Sequence, residues 1–165
     1  MKAPHIAVIS VFATVAIVLS LSKIVSTNAT TLNGSVVVPS FIDIAIAYNH
    51  GISFGLFAQD TALGSRLLVL VTTLLIAALS IWAYKTSRPT IGAALGIIIG
   101  GALVNTFDRA FNGTVFDYLY FHLGSVALFV CNAPDIAISL GFIILVLDEL
   151  FSSNHQPASK RNLED

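Results

Sequence analysis

"TIGAALGIIIGGALVNTFDRAFNGTVFDY", residues 90–118, opens as a membrane-grade helix and closes as a cluster of polar groups. Residues 90–104 carry no charge, and Gly92, Gly96 and Gly100 recur every four positions, on one helical face. In lipid such a stripe lets neighbouring backbones approach closely. Asn105, Asp108 and Arg109 follow at the end of the same run, and Asp117 stands beyond the glycine-containing turn "NGTVFD". Their spacings place Asn105, Asp108 and Arg109 on adjoining parts of one surface. A charge-assisted pair between Arg109 and Asp108, capping the helix, is the expected arrangement there.

The rest of the chain matches this beginning. Of 165 residues 56% are hydrophobic and 10% charged, far from the roughly one-quarter charged share of soluble domains. Four stretches approach the ~20 residues a spanning helix needs: about 4–24, 63–84, 90–107 and 135–151. The first is longer than a signal-peptide core and lacks a small-x-small exit, so it is read as retained. "LYFHLGSVALFV", residues 119–130, is too short to cross and is read as an interfacial or re-entrant segment. The expected architecture is an all-α membrane protein of four transmembrane helices, with a small extracytoplasmic β-cradle at about 34–58. Residues 1–152 form one membrane domain, and 153–165 a polar cytoplasmic tail. Lys2, Lys85, Arg88, Lys160 and Arg161 fall on the side of the termini, which the positive-inside rule makes cytoplasmic. A net charge of -1 without a basic patch gives no sign of a nucleic-acid partner.

The chemistry gathers on the outer side. Val36–Val38 and Ile42–Tyr48 are β-branched or apolar, partly alternating, and read as strands of the cradle. Asn49 and Gly51 in "NHG" supply turn chemistry. Asp117 and Asp135 have no basic neighbour in sequence, and ionisable groups this close to a bilayer default to functional hypotheses. Two carboxylates meeting in an apolar site share a proton, one serving as general base for water and the other as general acid. Spacing alone leaves a structural or ion-pathway role open. No serine–histidine or metal-ligand constellation competes, and Cys131, without an obvious base, reads as packing.

Three blocks resemble the bacterial lipoprotein signal peptidases (type II signal peptidases, aspartyl protease family A8). "NHGISFG" is similar to their N-x-G-x-[A/S]-F-[G/S] segment. "GGALVNTFDRAFNGTVFDY" is similar to their G-G-A-x-G-N-x-x-D-R-x-x-x-G-x-V-x-D-F block, and "CNAPD" to F-N-x-A-D. The blocks stand in family order over nearly the whole chain. The resemblance implies a cofactor- and metal-free inner-membrane endopeptidase, a globomycin target, that cuts prolipoproteins before a diacylglyceryl-modified cysteine. Asp117 and Asp135 would be its dyad at the outer face. Asn49, Asn105, Asp108, Arg109 and Asn132 would support the dyad or bind substrate, while Gly51, Phe54 and Gly55 shape the cradle. Its partners would be lipid-modified prolipoproteins and membrane lipid, met as a monomer. A non-catalytic lipoprotein-binding relative and a small proton-coupled transporter are the competing readings.

The chain departs from the family pattern at several places. Leu19 and Ser20 stand where the family has Asp-Gln, and Val104 where it has glycine. Cys131, Pro134 and Tyr118 replace phenylalanine, alanine and phenylalanine. Pro134 suits the first turn of a helix, which would set Asp135 at a helix N-terminus whose dipole favours negative charge. Asp117 lacks that help, so Asp135 is expected to be the ionised member and Asp117 the proton carrier.

Overall fold

The computed structural model describes residues 2–51 and 62–153. Phe54, Gly55, the rest of the cradle range to residue 58 and the tail from residue 154 lie outside the described residues. The elements run α1 (Ala3–Thr27), a single turn α2 (Ala29–Leu32), β1 (Val36–Val38), β2 (Ile42–Asn49), α3 (Ala62–Lys85), α4 (Pro89–Asn112), β3 (Val115–Leu123), β4 (Val126–Cys131) and α5 (Ala133–Ser153).

Helix α4 is the axis of the bundle, packed against α1, α3 and α5. Its glycines explain why. A Cβ on Gly92 would lie 2.6 Å from the Ala3 carbonyl oxygen, and one on Gly100 2.7 Å from Thr14 Cβ, so only glycine lets α1 settle there. On another face of α4 a Cβ on Gly101 would strike the Pro134 carbonyl at 2.6 Å, and from α5 one on Gly141 would strike the Ala94 carbonyl at 2.7 Å. Close backbone approach of this kind holds helices together where lipid removes the hydrophobic drive. Leu95 and Ala94 are fully buried as a result, whereas Phe12, Leu74 and Phe142 stand more than half exposed on the outer faces of their helices.

Helices α1, α3 and α4 are long and apolar enough to cross a membrane. Helix α5 has 21 residues, but Asp135 lies in its first turn and Asp148 and Glu149 near its end, so composition alone does not qualify it as the expected fourth span. Arg88, ahead of α4, pairs with Asp148 and lies 3.4 Å from Glu149, tying the α3–α4 turn to the far end of α5.

At the opposite end lies a four-stranded antiparallel sheet in the order β1-β2-β3-β4. The cradle strands β1 and β2 fall where alternation places them. Residues 119–130 belong to the β3–β4 hairpin, which turns at Gly124 with φ of 57°. Glycine adopts that left-handed conformation without strain, and the aromatic-rich run around it packs as cross-strand pairs, Phe121 stacking on Phe129 at 4.9 Å. The expected helical protein with a small β-cradle is thus a helical bundle whose sheet has four strands, β3 and β4 joining the two cradle strands.

Candidate active site

Four elements meet where the sheet sits on the bundle. Helix α4 ends at Gly113, whose φ of 77° gives a left-handed C-cap and whose N–H donates to the Arg109 carbonyl at 2.9 Å. The chain therefore turns straight into β3, placing Asp117 two residues into the strand. Strand β2 pairs alongside, with Ala47 opposite Asp117 and Asn49 opposite Val115. Helix α5 begins immediately after β4.

That beginning has its own local logic. The Asn132 side-chain oxygen accepts the Asp135 N–H at 2.9 Å, and the Asp135 carboxylate accepts the Asn132 N–H at 3.3 Å. This reciprocal pairing is a capping box built from asparagine and aspartate. Asp135 thus occupies the helix N-terminus anticipated from Pro134.

The same two residues join a relay. The Asn105 amide donates to Asp135 Oδ1 at 2.8 Å, and the Asn132 amide donates to Asn105 Oδ1 at 3.0 Å and to Asp117 Oδ1 at 2.8 Å. Asn49 completes the set by donating to Asp117 Oδ2 at 2.9 Å, while its own oxygen accepts the Gly51 N–H at 2.8 Å. Asp117 and Asn132 are almost wholly buried, and both aspartates line one cavity of about 140 Å³ with Asn49, Asn105 and Arg109. Asp117 therefore does have help, from two amides. Burial outweighs it: loss of solvent, with the Asp135 charge adding, pushes the Asp117 carboxyl up to about 6 against the opposing pull of Asn49, Arg109 and Asn132.

Asp108 and Arg109 are not the pair the sequence suggested. The Arg109 guanidinium donates to the Gly51 carbonyl, across the site. Asp108 accepts from Asn112 at 2.6 Å and from the Phe116 N–H at 2.8 Å, so it pins the start of β3 beside Asp117. Adjacent residues on a helix point about 100° apart, so each side chain takes partners of its own rather than the other. Two contacts had no counterpart among the expectations from sequence. The Tyr118 hydroxyl accepts the Ala133 N–H at 3.1 Å and lies 3.2 Å from Ser22 Oγ, linking α1 to the start of α5. Thr72 and Thr106 meet at 3.1 Å between α3 and α4 on the cavity wall. A hydroxyl at Tyr118 within an apolar strand was the available signal for the first; the second had none. Cys131 is buried, which with the two carboxylates pushes its thiol up to about 12 and rules it unfit as a nucleophile. Among the described residues no group of three His, Cys, Asp or Glu could hold a metal ion.

The family model described as signal peptidase (SPase) II matches residues 11–151, the span containing all of these groups. The chain belongs to the signal peptidase II family. It is 40% identical over 119 residues to a lipoprotein signal peptidase of Methylorubrum extorquens, covering 72% of this chain and 70% of that one. With the lipoprotein signal peptidase of Beijerinckia indica it is 44% identical over 112 residues, covering 68% and 67%. A solved bacterial membrane enzyme shares the fold at a TM-score of 0.75 and 22% identity, covering 91% of each chain. Membership makes this signal peptidase II relative a protease, and its apolar helices make it a multi-pass membrane protein.

Proposed function

We propose that the protein is an aspartyl endopeptidase that removes signal peptides from diacylglyceryl-modified prolipoproteins by cutting before the lipidated cysteine. The observation that carries this reading is the relay Asp117–Asn132–Asn105–Asp135, which fixes two carboxyl groups of unequal setting on one cavity. Asp135, held by the capping box and the helix dipole, is the ionised member. Asp117, in the drier place, carries the proton.

The chemistry then runs in two steps. Asp135 takes a proton from a water whose oxygen attacks the scissile carbonyl carbon, while Asp117 gives its proton to the carbonyl oxygen. The resulting gem-diol collapses as Asp117 takes a hydroxyl proton back. Asp135 then passes its proton to the nitrogen as the C–N bond breaks. A carboxylic acid leaves with the signal peptide and an amine stays on the lipidated cysteine. Arg109 orders the Asn49–Gly51 turn that edges the cavity.

Four spans, cytoplasmic termini and an outer-face site in the inner membrane complete the proposal, with the protein working as a monomer. Cleavage of a diacylglyceryl-modified prolipoprotein by the purified protein, without added metal, tests it. Activity should survive Cys131→Ser and vanish in Asp117→Asn and in Asp135→Asn. Turnover that persists without either aspartate overturns the assignment.

A further inference from the structure

The glycine stripe of α4 does not run its whole length. Gly92, Gly96 and Gly100 seat α1, but the next position of the same period is Val104. Val104 lines the space between α4 and α1 beyond the Gly100–Thr14 contact. Between them opens a groove of about 760 Å³, walled by Phe12, Val15 and Leu19 of α1 and by Val104, Phe107 and Phe111 of α4. Its volume falls in the range of about 300–1,000 Å³ that holds small ligands. Phe12, Phe107 and Phe111 are 72%, 58% and 81% exposed, so the groove opens sideways toward lipid.

Both ends are informative. Inward, the groove reaches Asn105 and Asn132, the amides that bind the dyad, and Asn105 lines the dyad cavity as well. Outward, it reaches Lys23 and Asp108. Asp108 has both oxygens engaged, whereas the Lys23 ammonium makes no hydrogen bond or ion pair among the described residues. A slot beside the tight Gly100–Thr14 contact, apolar along its walls, reaching the amides that bind the dyad and marked by one cation at its mouth suits a flexible alkyl chain with an ester oxygen at its head.

We propose that this groove seats an acyl chain of the substrate's diacylglyceryl group, with Lys23 donating to its ester carbonyl. The assignment rests on the prolipoprotein reading. Lipid tails are as apolar as the walls, so exchange from bilayer to groove adds little affinity. The gain is in position: a chain held here fixes the cysteine to which it is attached. Chain-length preference of about tenfold in kcat/KM is the size expected for such orientation.

The test is photolabelling of the full chain by a prolipopeptide with a non-cleavable scissile isostere and a diazirine in one palmitoyl chain. Adducts should map to residues 11–19 and 103–111, and fall at least fivefold in Leu19→Trp and Val15→Trp, which fill the slot. The cleavable substrate should lose its preference for palmitoyl over octanoyl chains in the same variants. Adducts on α3, or spread evenly over the outer faces, would overturn the proposal, and the wild-type map alone decides this if the variants fail to fold. Equal groove labelling by phosphatidylglycerol bearing the same diazirine would also overturn it, leaving a general lipid seat. Groove labelling without any turnover of the cleavable substrate would sink the peptidase reading and leave the groove assignment standing.

Discussion

Asp117 concentrates the tension in this molecule. Its carboxyl is pushed from 3.8 to about 6 because the sheet and bundle take it out of water faster than two amides can compensate. If its proton is the one donated to substrate, kcat/KM of the free enzyme falls tenfold per unit as pH rises above about 6. A flat profile through pH 8 would dismiss Asp117 as the acid. Asn49 favours the charged form, so Asn49→Ala should move that limb to higher pH, and a downward move would contradict its role. Linkage carries the same sign into stability. A carboxyl whose folded value lies above its unfolded value contributes most below the unfolded one, here about 4, and loses that contribution as pH rises through about 6. Thermal unfolding in detergent should therefore show Tm declining between pH 4 and 6, and Asp117→Asn should remove the decline. Replacing either aspartate by asparagine should lower kcat by ~10²–10⁴-fold, the usual scale for a lost acid or base.

Asn132 does two things at once, and its element separates them. As the cap of α5 it satisfies the Asp135 N–H, and as an amide it bridges Asp117 to Asn105. Serine can cap but cannot bridge. Asn132→Ala should cost ~1 kcal/mol or more of stability as well as activity. Asn132→Ser should recover most of the Tm and little of the kcat; recovery of both would mean that the relay is only a cap. On α4, Gly96→Val puts side-chain carbon onto the Ala7 carbonyl and Ser10. Overpacking of that kind costs about 1–3 kcal/mol, whereas Ala78→Val on the exposed face of α3 should leave Tm unchanged. The sequence showed where helices lie because apolar runs are local. It named both aspartates because ionisable groups stand out against such runs. It did not show that residues 119–130 pair as a hairpin, since an aromatic-rich apolar run reads alike at an interface and in a sheet. Nor did it show that Asn49 would reach Asp117, 68 positions away, because that meeting depends on β2 and β3 becoming neighbours across α3 and α4. The Asp108–Arg109 pairing failed for the same reason, each residue finding a partner outside its own helix.

At the scale of the whole molecule the crossing of α5 decides the topology. Its uncharged stretch, residues 136–147, would rise only about 18 Å, short of a hydrocarbon core of ~30 Å. Its full 21 residues rise about 31 Å, which is enough. The acidic residues at its ends are engaged rather than bare: Asp135 by Asn105 and the cap, Asp148 and Glu149 by Arg88. Charge at both rims of a spanning helix is tolerable when it is hydrogen-bonded and near the headgroups, and in the proposed four-span topology the dyad would lie just inside the surface that carries the sheet. The α3–α4 turn and the β3–β4 turn must then face opposite compartments. In a Cys131→Ser background, a membrane-impermeant maleimide added to intact spheroplasts should label Ser125→Cys in the β3–β4 turn and spare Thr86→Cys until the membrane is opened. Labelling of Thr86→Cys alone would turn the molecule over, put the dyad on the cytoplasmic side and break the positive-inside argument. Labelling of both without permeabilisation would mean that the bundle does not separate the two turns, and α5 would have to be read as a surface helix.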